Sequence, residues 1–243
     1  MPTPAIEELE QLQRNRLLAL LDAHTLGAVA QHLQFVPLDL RDVVLAEGKP
    51  VRHAWFPVEG VLSMLAAVER ARTVVEVGTV GNEGMAGLPL FLGGARAPGE
   101  CFVQVSGAAW RMPAAAFREA AHDLPQFSAV LHRYTQALFV QISQSTACNR
   151  VHTPLQRCAR WLLMTRDRVS GDTFDLKQEF LGHMLGERRP TVSRVASELQ
   201  RRRAIAYSRG RITVVDRARL EEHACPCYRV VRDEYDGMLS ARG

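Results

Sequence analysis

The chain has 243 residues, of which 47% are hydrophobic and 23% charged, a globular balance that excludes a disordered polymer and leaves room for one large or two ordinary domains. Net charge is +4 but unevenly placed: from Arg150 onward 19 Lys and Arg stand against 12 Asp and Glu, while the preceding residues are slightly acidic. No run approaches the roughly 18 apolar residues of a membrane span, the acidic, polar start is unlike a secretory signal, and five Cys without a disulfide-framework spacing fit reduced thiols in the cytoplasm.

In chain order, residues 5–21 carry Ile6, Leu9, Leu12, Leu17, Leu18 and Leu21 between charges, which predicts an amphipathic helix. A second short helix is expected over 25–34. From Phe35 to Met112 the texture becomes β-rich: short runs at Val43–Leu45, Ala54–Phe56, Val61–Leu65, Thr73–Val77, Cys101–Val105 and Ala109–Met112, punctuated by Gly and Pro. Many short strands with frequent turns predict a barrel or jelly roll. Pro113 then opens a helical stretch that breaks near Asp123-Leu124-Pro125 and resumes to about Cys148. Its apolar residues Phe127, Leu131, Tyr134, Leu138 and Ile142 recur at spacings of three and four, so this helix either packs on its own barrel or pairs with a twin from a second subunit. Asn149–Thr153 reads as a hinge, and Pro154 starts a helix over 154–168.

The segment from Leu176 to Ile205 carries the chemistry. Leu176–Leu185 forms a short helix, Gly186 sits where a tight turn needs positive φ, and Pro190 falls in the first turn of the next helix, where its missing N–H costs nothing. Val192, Val195, Ala196 and Leu199 make one buried stripe. The opposite face offers Arg188, Arg189, Thr191, Ser193, Arg194 and Ser197, with Arg201 at the end. Arginine can fork onto guanine O6 and N7, and hydroxyls can donate to phosphate. Ile205–Tyr207 and Ile212–Val215 then flank a basic turn containing Arg209 and Arg211, a hairpin wing suited to the DNA backbone. These features predict a helix-turn-helix reading double-stranded DNA.

These C-terminal residues resemble the winged helix of the Crp/Fnr superfamily of bacterial regulators. The stretch 43–63, with its Gly48 turn, Trp55-Phe56 pair and Gly60 turn, resembles that family's effector barrel. The resemblance covers roughly 25–220 and implies an α+β fold: a cyclic-nucleotide-binding-like jelly-roll domain over 1–112, a dimerisation helix and hinge over 113–149, a winged helix-turn-helix over 150–220, and a tail over 221–243. It implies a cytoplasmic homodimer on a palindromic promoter site, RNA polymerase as a partner if the protein activates, no membrane association and no enzymatic activity. One departure matters. The family's common glutamate after the first arginine is Pro190 here, which cannot accept from cytosine, so the family's operator is not carried over.

Cyclic-nucleotide members hold phosphate and ribose in a Gly-rich cassette. The matching stretch is 80–107, where Glu83, Gly84, Met85 and Arg96 are the candidate effector pocket. The register is off: the phosphate arginine falls near Gly99 beside Glu100, and the ribose glutamate falls on Met85. A cyclic-nucleotide-responsive regulator is therefore the alternative reading, and no cofactor is expected. No Cys precedes Cys101, so the iron–sulfur ligand set is lacking. His53, His122, His132 and Met85 read as ordinary residues rather than haem ligands. Within 35–112 only His53 could serve a cupin-type metal, so no catalytic residue is assigned. Cys225-Pro226-Cys227 reads as a packed tail; a metal would need further ligands, and His223 is the only obvious third.

Overall fold

A computed structural model describes residues 6–68 and 73–240. Residue 5 of the first expected helix and the last three residues of the tail lie outside them. The fold is α+β, and its contacts divide the chain into two units. The first comprises residues up to 64, 79–139 and 234 onward; the second comprises 65–78 and 140–233.

The first unit begins with helix α1 (Ile6–Gln13), which stops well short of residue 21. Asn15 ends it: its side-chain Oδ1 accepts from the Leu18 N–H at 3.1 Å, the local competition with helix that Asn favours. Helix α2 (Ala23–Ala30) is capped by Asp22, whose carboxylate accepts from the Thr25 N–H. That bond holds the Asp22 carboxyl below its usual value.

A five-stranded sheet follows, built from β1 (Gln34–Leu38), β2 (Val43–Leu45), β3 (His53–Val68), β4 (Thr73–Val80) and β5 (Glu100–Pro113). Its order is β1-β5-β3-β4, with β2 also on β5. β1 and β2 pair antiparallel with β5, Leu38 opposite Gly107 and Val43 opposite Phe102. β1 escapes the sequence pattern because Pro37 reads as a breaker; it is an edge strand, where proline is tolerated. Four of the expected short runs fuse into two long strands. Gly60 and Gly107 are not turns but a close approach: a Cβ on Gly107 would lie 2.1 Å from the Glu59 carbonyl oxygen. Leu38, Leu62, Val80, Ala86, Cys101, Val103 and Ala109 form the apolar core of this sheet.

Helix α3 (Ala114–Asp123) and helix α4 (Pro125–Val151) follow, broken at Leu124 as Pro125 requires. Phe117 of α3 and Phe127 of α4 stack edge-on at 5.6 Å, and each lies 6.4 Å from Phe56.

In the second unit, helix α5 (Pro154–Arg166) opens with a capping box between Thr153 and Gln156. Strand β6 (Thr173–Asp175), helix α6 (Gln178–Leu185), helix α7 (Arg189–Arg201) and strands β7 (Ile205–Ser208) and β8 (Arg211–Val214) complete a helical domain with a three-stranded wing sheet, order β6-β8-β7. The tail is helical: α8 (Arg217–His223) and α9 (Cys227–Ser240), the latter burying Tyr228, Val231, Tyr235 and Met238 at spacings of three and four.

Candidate nucleic-acid interface

The turn between α6 and α7 is set by Gly186 at φ +60°. Arg157 of α5 pins it from below, donating to the Leu185 carbonyl at 2.8 Å and to Glu187 Oε1 at 2.6 Å. Arg188 stands at the N-cap position of α7 without a side-chain cap bond, and Pro190 sits in the first turn. Val192, Val195, Ala196 and Leu199 are buried, none more than 5% exposed. Arg188, Arg189, Arg194, Ser197 and Arg201 face solvent, and Thr191 and Ser193 are half-buried at the rim. Among the described residues Arg188, Arg189 and Arg194 have no acidic partner, so three guanidinium groups are free for an external anion.

The wing turn places Arg209 at φ +50° and Gly210 at φ +78°, the two left-handed residues of a type I′ hairpin. Arg209 is exposed, and Arg211 pairs with the equally exposed Asp175 at 3.1 Å. Three bonds fix the wing. Leu176 N–H donates to the Gly210 carbonyl at 2.7 Å, Tyr207 Oη donates to the Leu176 carbonyl at 3.1 Å, and Tyr207 N–H donates to Gln200 Oε1 at 3.0 Å. The wing is thus tied to Leu176, two residues before α6, and to α7.

Sequence reasoning did not single out Glu198, which pairs with both Arg201 and Arg202. The spacing of three and four from an acid to two arginines is the signal that would have found it. Glu198 is consequently held below its ordinary carboxyl value, first by Arg202 and then by Arg201. Arg201 therefore reaches a phosphate only in competition with this acid.

The residues proposed for a twin-helix seam are mostly spent within the chain. Phe127, Leu131, Tyr134 and Leu138 are each under 5% exposed, and Tyr134 Oη donates to the Met85 carbonyl at 2.8 Å. Ile142 is half-buried. The outward large apolar residues of α4 are instead Phe139, 66% exposed, and Val151 at its end, 70% exposed.

The candidate effector residues do not assemble. Glu83 is buried and accepts from the Gly81 N–H at 3.1 Å, inside its own turn. Gly84 lies under the Tyr134 ring, where a Cβ would come within 2.4 Å, and Met85 is buried. Arg96 is exposed and donates to the Gly48 carbonyl at 2.7 Å. A cavity of about 450 Å³ in the first unit is lined by Arg16, Leu20, Asp22, Gln126 and Leu239, and by none of these four.

Comparison with known proteins agrees with this geometry. Residues 156–223 match the family model of the Crp-like helix-turn-helix domain. No curated protein matches the sequence. Among solved structures, FixK2 from Bradyrhizobium japonicum is similar over 79% of this chain and 98% of its own, at 17% identity and a TM-score of 0.67. The c-di-GMP-responsive global regulator CLP of Xanthomonas campestris is similar over 80% of this chain and 100% of its own, at 14% identity and a TM-score of 0.63. A Crp/Fnr-family transcriptional regulator from Thermus thermophilus is similar over 79% and 98%, at 19% identity and a TM-score of 0.62.

Proposed function

We propose that this chain, a Crp/Fnr-type transcription regulator with a helix-turn-helix DNA-binding domain, acts as a homodimer on a two-fold-symmetric promoter site and reads each half-site with α7. One observation carries the reading: α7 buries its valine stripe while Arg188, Arg189 and Arg194 stand exposed without an acidic partner among the described residues. In a major groove these arginines, with Thr191, Ser193 and Ser197, meet base edges and phosphates, and Arg209 and Arg211 of the wing lie along the backbone. The same domain set describes a regulator rather than an enzyme. A regulator that binds promoter DNA works in the cytoplasm; among the described residues no helix is long and apolar enough to cross a membrane.

A dimer would place two recognition helices in successive grooves about 34–36 Å apart. Affinity would lie on the order of 10⁻⁸–10⁻¹¹ M and fall steeply with salt as counterions are released. An activator would also meet RNA polymerase. Glu83 committed to its own turn and Tyr134 over Gly84 support a regulator that does not use a nucleotide at this place. Calorimetric titration with cyclic AMP, cyclic GMP and c-di-GMP checks that reading.

Selection of bound sequences from random duplex DNA tests the main proposal. The expected product is a palindrome. Arg194→Ala should lose about 1–3 kcal/mol of preference at one position of each half-site; unchanged specificity together with an unchanged salt slope would remove Arg194 from the interface.

A further inference from the structure

Cys148 and His152 are four residues apart at the end of α4, and the His152 N–H still donates to the Cys148 carbonyl at 3.1 Å, so both side chains share one helical face. Cys225 lies in the link between α8 and α9, and Cys227, just past Pro226, opens α9. Folding brings the two pairs together. Cys148 Sγ lies 3.4 Å from Cys225 Sγ, Cys227 Sγ lies 3.5 Å from His152 Nδ1, and all four ligand atoms fall within 4.8 Å of one another. The three thiols are at most 2% exposed.

We propose that Cys148, His152, Cys225 and Cys227 form a tetrahedral zinc site that clips together the two ends of the helix-turn-helix domain. With Zn–S near 2.3 Å, the edge of such a tetrahedron is about 3.7 Å, close to the spacing already present. Three thiolates and a neutral imidazole on Zn²⁺ leave one net negative charge. The buried Arg160 guanidinium is near enough to Cys148 to act on it electrostatically and offsets that charge. Gln144 Nε2 donates to Cys227 Sγ at 3.1 Å, an outer hydrogen bond of the kind that orients a metal thiolate. Four protein ligands make the site closed and structural rather than catalytic.

Competing uses fit less well. A Cys148–Cys225 disulfide would draw the sulfurs in to about 2.05 Å and leave Cys227 and His152 without a role. A polynuclear iron–sulfur cluster seats its cysteines on different irons and would force these atoms apart. His223, the third ligand suggested by the sequence, is not part of the group: its Nδ1 accepts from Arg202 at 3.1 Å. The topology gives the site its consequence. Cys148 and His152 precede the residues 156–223 of the DNA-binding domain, and Cys225 and Cys227 follow them. One ion therefore ties the chain entering that domain to the chain leaving it, and metal binding contributes to its folding.

The test uses the full chain, purified reduced and without chelator, and is independent of any DNA measurement. Elemental analysis should find one zinc per chain, released on titration with a mercurial thiol reagent. Co²⁺ exchanged into the site should give thiolate charge-transfer absorption and the intense ligand-field bands of a tetrahedral centre. Cys148→Ser and Cys225→Ser should abolish both signals. Cys158→Ala should keep them, because that thiol is fully buried elsewhere and pushed up to about 12 by burial. If the serine variants do not fold, the Co²⁺ spectrum of the unaltered chain decides alone. A metal-free protein with no thiolate–cobalt absorption, a Cys148–Cys225 disulfide found by mass spectrometry, or iron and sulfide in place of zinc would each overturn the proposal.

Discussion

At the scale of single residues, the buried polar groups show how little slack the fold has. Asn15 is fully buried, and its side-chain amide donates to the Pro57 carbonyl at 2.8 Å and the Gly84 carbonyl at 2.9 Å. Removing one partner leaves those carbonyls unpaired in a dry place, so Asn15→Ala should cost about 3 kcal/mol, read as a drop in the midpoint of chemical unfolding. Nothing in the run QLQRNRLL marks that asparagine as buried, because its partners come from strand β3 and from a turn, 42 and 69 residues away. Glu198 acts by charge. A carboxyl whose folded value is depressed adds stability above its ordinary 4.5 and gives it up as pH falls through the lowered value. Glu198→Gln should therefore flatten the loss of thermal stability below pH 4.5. The same change frees Arg201 and Arg202, so the salt slope of DNA binding should steepen by about 1–2; an unchanged slope would place those arginines away from phosphate.

At the scale of elements, α7 and the wing were legible because local chemistry dictates them. A 3.6-residue apolar stripe, proline in the first turn and a left-handed Arg209-Gly210 pair need no distant partner to be read. The α6–α7 turn depends on one thing the local pattern does not show: Arg157, 28 residues before Leu185 and 30 before Glu187, bonds the Leu185 carbonyl and the Glu187 carboxylate. Arg157→Met should lower the unfolding free energy by about 2 kcal/mol. It should also weaken DNA binding more than Arg219→Met at an exposed position of α8 would, as read by paired melting and gel-shift measurements. Strands β3 and β5 are not legible as single elements because glycine within a β-rich run also signals a turn. Gly60 and Gly107 serve instead to let two backbones approach. Helix α9 had a readable stripe of Tyr228, Val231, Tyr235 and Met238, overshadowed by the two cysteines at its start.

At the scale of the whole molecule, the seam of the proposed dimer is where periodicity alone misleads. Phe127, Leu131, Tyr134 and Leu138 form an apolar face that would suit a twin helix, yet each is already buried in its own unit. A dimer joined through α4 must then use its outward side, with Phe139 exposed and Ile142 half-buried one turn on. Phe139→Glu should give monomers in sedimentation while leaving the fold intact, and should weaken binding to a full palindrome by about 10²-fold or more through lost avidity. A dimer that survives this change would place the seam elsewhere. Sequence by itself determined the α+β architecture, the order of its parts and the basic reading helix, because propensity, stripe and turn chemistry act over a few residues. Only the tertiary structure decided which apolar face is already covered, which strands run through their glycines, and that Cys148 and His152 meet Cys225 and Cys227. Those outcomes depend on residues tens of positions apart becoming neighbours, and no local pattern records that distance.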